Sequence, residues 1–213
     1  MCSHTRIGMN EIDRLAEYFL KFPGVGPRQA KRMVYYLLRQ NRSWVAELTE
    51  AIEQVKARVT RCPACFRHFT PSSAQRDPRC ELCQDPNRSD AHLIIVEKDV
   101  DLENIEKSHV IAGRYFVLGG LYAPLKKDPE AFIRTRELRA HLAERAAGLS
   151  EVILAFAVSP DGDETVQFLR ELLSPLAKEH GFRVTTLGRG LSTGSELEYA
   201  DPATIASALE GRK

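Results

Sequence analysis

The chain has 213 residues, a formal net charge of +1, 43% hydrophobic and 28% charged residues. This is the make-up of an ordinary globular protein with room for one medium domain, or two small ones plus a metal module. No apolar run approaches the roughly twenty residues needed to cross a bilayer, and Met1 to Asn10 lacks the apolar centre of a signal peptide, so a cytoplasmic protein is expected.

In chain order, Ile12, Leu15, Phe19 and Leu20 recur at helical spacing and stop at Pro23-Gly24. A second helix is expected from Pro27, a favoured first-turn residue, with Ala30, Met33, Val34, Leu37 and Leu38 on one face. A third carries Val45, Leu48, Ile52, Val55 and Val59. A segment from about Arg61 to Arg88, rich in Pro, Arg and Ser, follows with little core of its own. Beyond it come short, nearly continuous apolar runs at His92–Glu97, Tyr115–Leu118, Glu151–Val158 and, more weakly, Arg183–Leu187. Helical patterns at Asp101–Lys107, Pro129–Ala146 and Asp163–His180 separate them, which predicts a mainly parallel sheet covered on both faces. Asp201-Pro202 predicts a cap and first turn for a last short helix through Leu209.

Charge is segregated. Tyr18 to Ala46 holds six basic residues (Lys21, Arg28, Lys31, Arg32, Arg39, Arg42) and no acid, while Glu97 to Glu106 holds five carboxylates against one lysine. A polyanion suits the first block, a cation or a basic partner the second.

Four cysteines, Cys62-Pro-Ala-Cys65 and Cys80-Glu-Leu-Cys83, have the C-x2-C, fourteen residues, C-x2-C spacing of a tetrahedral Zn2+ site. Four thiolates leave no open position for water, so the ion would build the fold and perform no hydrolysis. Two redox pairs are the alternative, but such a motif opens a helix after a strand, which neither pair is expected to do. His68 reads as a loop histidine, and the leftover Cys2 fits a reducing compartment.

Lys21-Phe-Pro-Gly-Val-Gly-Pro-Arg28-Gln-Ala-Lys31-Arg32 permits a tight hairpin between two helices, with the free N–H groups of the second facing a phosphate. Lys21, Arg28, Lys31 and Arg32 could neutralise neighbouring phosphates without reading sequence; the alternative is a packing corner with solvated basic residues. Glu97 ends a strand where α/β folds place ligands. Asp99 and Asp101 follow closely enough to share a hydrated Mg2+, or else Asp101 caps the next helix. Asp161 and Asp163 lie in the expected strand-to-helix loop Ser159–Thr165, on the same edge as Glu97 if the sheet is parallel, or cap that helix. The Gly188–Asp201 stretch reads as a loop that orders on a partner; its glycines and hydroxyls could cradle phosphate, but it lacks a P-loop lysine.

In order, Phe22-Pro-Gly-Val-Gly-Pro-Arg28, the four-cysteine module, the strand ending in Val96-Glu97, Tyr115-Phe-Val-Leu-Gly-Gly120, Glu151-Val-Ile-Leu-Ala155 and Gly194-Ser-Glu-Leu-Glu-Tyr-Ala-Asp201 resemble the bacterial recombination mediator RecR family, over residues 11 to 212. The resemblance implies a multidomain α and α/β chain: a helix-hairpin-helix module (1–58), a zinc finger (59–89), a Toprim domain (90–188) and a C-terminal tail with a Walker-B-like segment and an oligomerisation helix (189–213). It implies a non-enzymatic, ring-like tetramer or dimer of dimers that clamps DNA. With RecO and RecF, such a protein helps RecA load onto single-stranded DNA at gaps. The matching residues make Lys21, Arg28, Lys31 and Arg32 the DNA contacts and Cys62, Cys65, Cys80 and Cys83 the zinc ligands. Glu97, Asp161 and Asp163 become a docking edge for RecO.

Three departures bear on function. Ala157 and Ser159 stand where catalytic Toprim domains place an Asp-x-Asp pair, Asp161-Gly-Asp163 replaces Glu-Gly-Glu, and Ser192-Thr-Gly-Ser195 replaces Pro-Val-Gly-Gly. Two-metal phosphoryl transfer needs convergent carboxylates, so the pattern weighs against Mg2+ and against the competing reading of a Mg2+-dependent Toprim nuclease or primase-like enzyme.

Overall fold

The computed structural model describes residues 10–72, 76–188, 190, 191, 194, 196–200 and 202–210. Cys2, Ser192, Thr193, Ser195 and Asp201, all singled out above, lie outside the described residues. The chain divides into compact units of residues 1–59 and 60–213.

In the first unit Asn10 caps α1 (Glu11–Phe19) by accepting the Asp13 N–H at 2.9 Å. The chain then turns through Gly24, whose φ of 74° is the left-handed conformation that glycine adopts most readily. Pro27 opens α2 (Pro27–Leu38), and α3 (Arg42–Arg58) begins at a second asparagine cap, Asn41. The core is small: Ala16, Ala30 and Val34 are buried, with Ile12, Phe19 and Val25 packed around them. The apolar stripes predicted for the later helices are only partly covered. Met33 and Leu38 on α2 are exposed, as are Leu48, Ile52 and Val55 on α3.

The second unit opens with a two-stranded hairpin, β1 (Thr60–Arg61) and β2 (His68–Phe69), then a one-turn helix, α4 (Glu81–Gln84). Four parallel strands follow: β3 (His92–Val96), β4 (Arg114–Val117), β5 (Glu151–Ala155) and β6 (Arg183–Thr186), in the order β4-β3-β5-β6. The two inner strands are buried between layers, which explains their near-continuous apolar sequences. Helices α5 (Asp99–Ser108), α6 (Thr135–Arg145) and α7 (Pro160–His180) provide the crossovers, and α8 (Pro202–Glu210) follows near the end. One core joins β3, β4 and β5 to α6 and α7 through Leu93, Ile95, Phe116, Leu138, Leu142, Leu154, Leu169 and Leu173.

Several boundaries differ from expectation. Pro129 to Arg134 is not helical: the Arg134 N–H bonds to Leu118 O at 2.9 Å, and the helix starts only at Thr135. β5 stops at Ala155. Helix α7 starts three residues early, because Ser159 Oγ accepts the Gly162 N–H at 3.1 Å and Pro160 fits the first turn. A Cβ on Gly162 would stand 2.1 Å from Ala157 O, so the close return of the chain there requires glycine.

Candidate metal centre and nucleic-acid interface

The β1–β2 hairpin presents the first cysteine pair. Cys62 N–H donates to Arg67 O at 2.8 Å and Phe66 N–H to Cys62 O at 3.0 Å, closing the turn so that both sulfurs face inward. The second pair sits at and within α4, where Cys83 N–H donates to Cys80 O. This pair opens a helix, but after a loop and not a strand, and for a single turn. All four Sγ atoms lie within 4.8 Å of one another, and Cys62, Cys65 and Cys80 are buried. A tetrahedral ion with Zn–S bonds of about 2.3 Å sets sulfurs about 3.8 Å apart, so the donor set fits. The Cys80 N–H also points at Cys62 Sγ, at 3.3 Å. Hydrogen bonding with Cys65 pulls the Cys62 thiol far below its ordinary range, and the same contact pushes Cys65 far above it. A divalent cation bound there would let all four sulfurs ionise together.

The four-cysteine module is fastened to the sheet. Val117 N–H on the edge strand β4 donates to Cys65 O at 2.8 Å, and Arg114 reaches Leu82 O at 2.9 Å and Cys83 O at 3.3 Å. The cysteines share a core with Ile94, Val96, Leu102, Tyr115 and Val117. His68 is not a loop residue; it lies in β2, where its N–H (2.6 Å) and ring Nδ1 (3.1 Å) both meet the Asp99 carboxylate. Sequence reasoning missed this pairing, as it missed the half-buried Arg88–Glu106 ion pair. Both partners of each pair are polar and distant in sequence, which leaves no periodic signal.

That geometry decides how the acids at the sheet edge are used. Asp99 is held by His68, and Asp101 Oδ2 accepts the Lys98 N–H at 3.3 Å in a capping box. Glu97 lies 3.8 Å from Lys98 Nζ. Asp161 and Asp163 stand on the first turn of α7, not in a loop, and Ser159 supplies the cap there. The parallel register sets Val96 beside Ala155, so the chain leaves β3 and β5 along one edge. Among the described residues, the cysteines form the one group of three or more ligand-type side chains close enough for a shared ion.

In the hairpin, Gly26 leaves the start of α2 without a side-chain cap, so its first N–H groups face outward. Lys21 Nζ lies 5.1 Å from the Tyr18 ring centroid, Lys31 pairs with Asp13 at 3.1 Å, and Arg32 donates to Gln29 at 3.3 Å. Arg28 makes no ion pair or side-chain hydrogen bond among the described residues and is exposed.

A helical hairpin, a four-cysteine centre and a four-stranded parallel sheet define a multidomain α and α/β protein. Family profiles match residues 12–56 as the RecR helix-hairpin-helix, 91–188 as a Toprim domain and 190–213 as the RecR C-terminal region. The recombination protein RecR of Chloroflexus aggregans is 39% identical over 202 residues, covering 95% of this chain and 93% of that protein. That of a Cyanothece species is 36% identical over 95% of each chain, and that of Thermobifida fusca 37% over 96% and 94%. The chain belongs to the RecR family of recombination proteins.

Proposed function

We propose that this protein is a DNA-binding mediator of recombinational repair that works with RecO and RecF to help RecA load onto single-stranded DNA at gaps. The observation that carries the reading is the hairpin: a basic, acid-free turn with an uncapped helix start and an unpaired Arg28 beside it. Lys21, Arg28, Lys31 and Arg32 are its phosphate contacts, and Lys31 leaves Asp13 to make one. Glu97, Asp161 and Asp163 form the docking edge for RecO. Cys62, Cys65, Cys80 and Cys83 hold one structural Zn2+, which organises the module and takes no part in chemistry. The exposed Met33, Tyr35, Tyr36 and Leu38, lining a cleft of about 770 Å3, supply apolar surface for self-association into a tetramer, and a cytoplasmic location beside the nucleoid follows from the role.

The test is RecA assembly on gapped DNA coated with single-strand-binding protein, with RecO and RecF present. Wild-type protein is expected to shorten the lag at least several-fold, and Arg28→Ala with Lys31→Ala to remove most of that effect. Absence of stimulation, or Mg2+-dependent cleavage of the DNA, would overturn the proposal; cleavage would favour the Toprim nuclease.

A further inference from the structure

Phe66 directly follows a metal-ligating cysteine and has a φ of 65°. A bulky side chain rarely adopts this left-handed conformation, and the surrounding structure must hold it there. One anchor is its ring packing on Phe116, with centroids 5.2 Å apart. Two arginines use the same ring. The guanidinium carbons of Arg61 and Arg134 each lie 5.7 Å from its centroid. Arg61 belongs to β1; Arg134 precedes α6 and is tied to the end of β4, its Nη1 donating to Val117 O at 2.7 Å and its N–H to Leu118 O. Gly119, with φ 96°, makes room: a Cβ there would stand 2.6 Å from Arg134 Nη1.

Among the described residues, neither arginine has an ion-pair partner within 4.0 Å. The acids acting on Arg134 at longer range are Asp99, already bound by His68, and Glu137. Burial and the like charge of Arg61 both hold the Arg134 pKa below its ordinary value, so the site favours an added negative charge. Arg134 sits at the C-terminal end of β4, on the edge of a parallel sheet where α/β folds take ligands, and Arg61 meets it at the Phe66 ring. Guanidinium forks also suit phosphate oxygens.

We propose that Arg61 and Arg134, braced on Phe66, form a second phosphate-binding site on the sheet unit, and that its ligand is the backbone of single-stranded DNA. The site lies on the other compact unit from the hairpin and shares none of its residues. The proposal rests on the DNA-binding reading, and the experiment separates the two.

A fluorescein-labelled dT40 oligonucleotide is titrated with full-length zinc-loaded protein at several KCl concentrations. The proteins are wild type, Arg61→Glu, Arg134→Gln, Arg134→Lys and the Arg28→Ala/Lys31→Ala pair. Arg61→Glu is expected to weaken binding about tenfold and lower the salt slope by about one. Arg134→Lys should lose less affinity than Arg134→Gln, because it keeps the charge. Zinc content and melting temperature report folding; if Arg134→Gln fails to fold, the exposed Arg61→Glu decides alone. Unchanged affinity and slope in Arg61→Glu, with loss in the hairpin pair, would overturn this site and leave the hairpin reading standing. Loss in Arg61→Glu with an unaffected hairpin pair would do the reverse. ATP binding that requires Arg61 while dT40 binding does not would overturn the assignment to DNA.

Discussion

His141 on α6 shows how burial changes a residue's chemistry. Its Nε2 is buried with no hydrogen-bond partner, and its ring packs on Phe116 at 5.6 Å. Burial, reinforced by the charge of Arg145, lowers its pKa from 6.5 to about 4. The unfolded chain therefore binds a proton that the folded chain refuses, and folding stability falls as pH drops from about 6.5 to about 4. The loss over that window is about 3 kcal/mol. Urea midpoints at pH 7 and pH 5 should show His141→Gln losing clearly less stability on acidification than wild type. Equal losses would contradict a buried neutral histidine. The cysteines were legible from sequence because metal spacing is local, whereas His141, Arg61 and Arg134 acquire their roles from distant chain segments brought together at Phe66 and Phe116.

Element positions followed the same logic. The inner strands β3 and β5 were legible because burial on both faces demands apolar runs. The Pro129–Arg134 stretch reads as helix in the sequence, with Phe132 and Ile133 extending the apolar pattern, yet the Arg134 N–H bonds to Leu118 O just beyond β4 instead. The helical period of α3 was correct, but a period cannot reveal whether a neighbour covers the stripe. The bond from Val117 N–H to Cys65 O ties the four-cysteine module to the edge strand, so removing a bound ion is expected to uncover that strand. Wild-type protein is expected to carry one zinc per chain. Cys80→Ser should carry none and unfold well below wild type, since structural zinc contributes roughly 10 kcal/mol or more in small zinc peptides. A metal-free variant with an unchanged melting curve would contradict the structural assignment, as would wild-type protein that binds no zinc under reducing conditions.

In the proposed reading, the two units divide the work. One unit holds a helical hairpin with a basic, acid-free rim, and the other a parallel sheet tied to a four-cysteine module, with Asp99 held by His68. That division was legible in the opposite charge blocks. What the sequence concealed was how the acids are used: Asp99 braces the metal module through His68, and Asp161 and Asp163 sit on a helix that Ser159 caps. The central claim is that the hairpin grips DNA through its phosphates. It is tested most directly by measuring dT40 affinity against KCl concentration for wild type and for the Arg28→Ala/Lys31→Ala pair. The pair should bind at least tenfold more weakly than wild type at low salt, with a log–log slope shallower by about one to two and similarly for oligonucleotides of any sequence. Equal affinity and equal slope in the two proteins would contradict it.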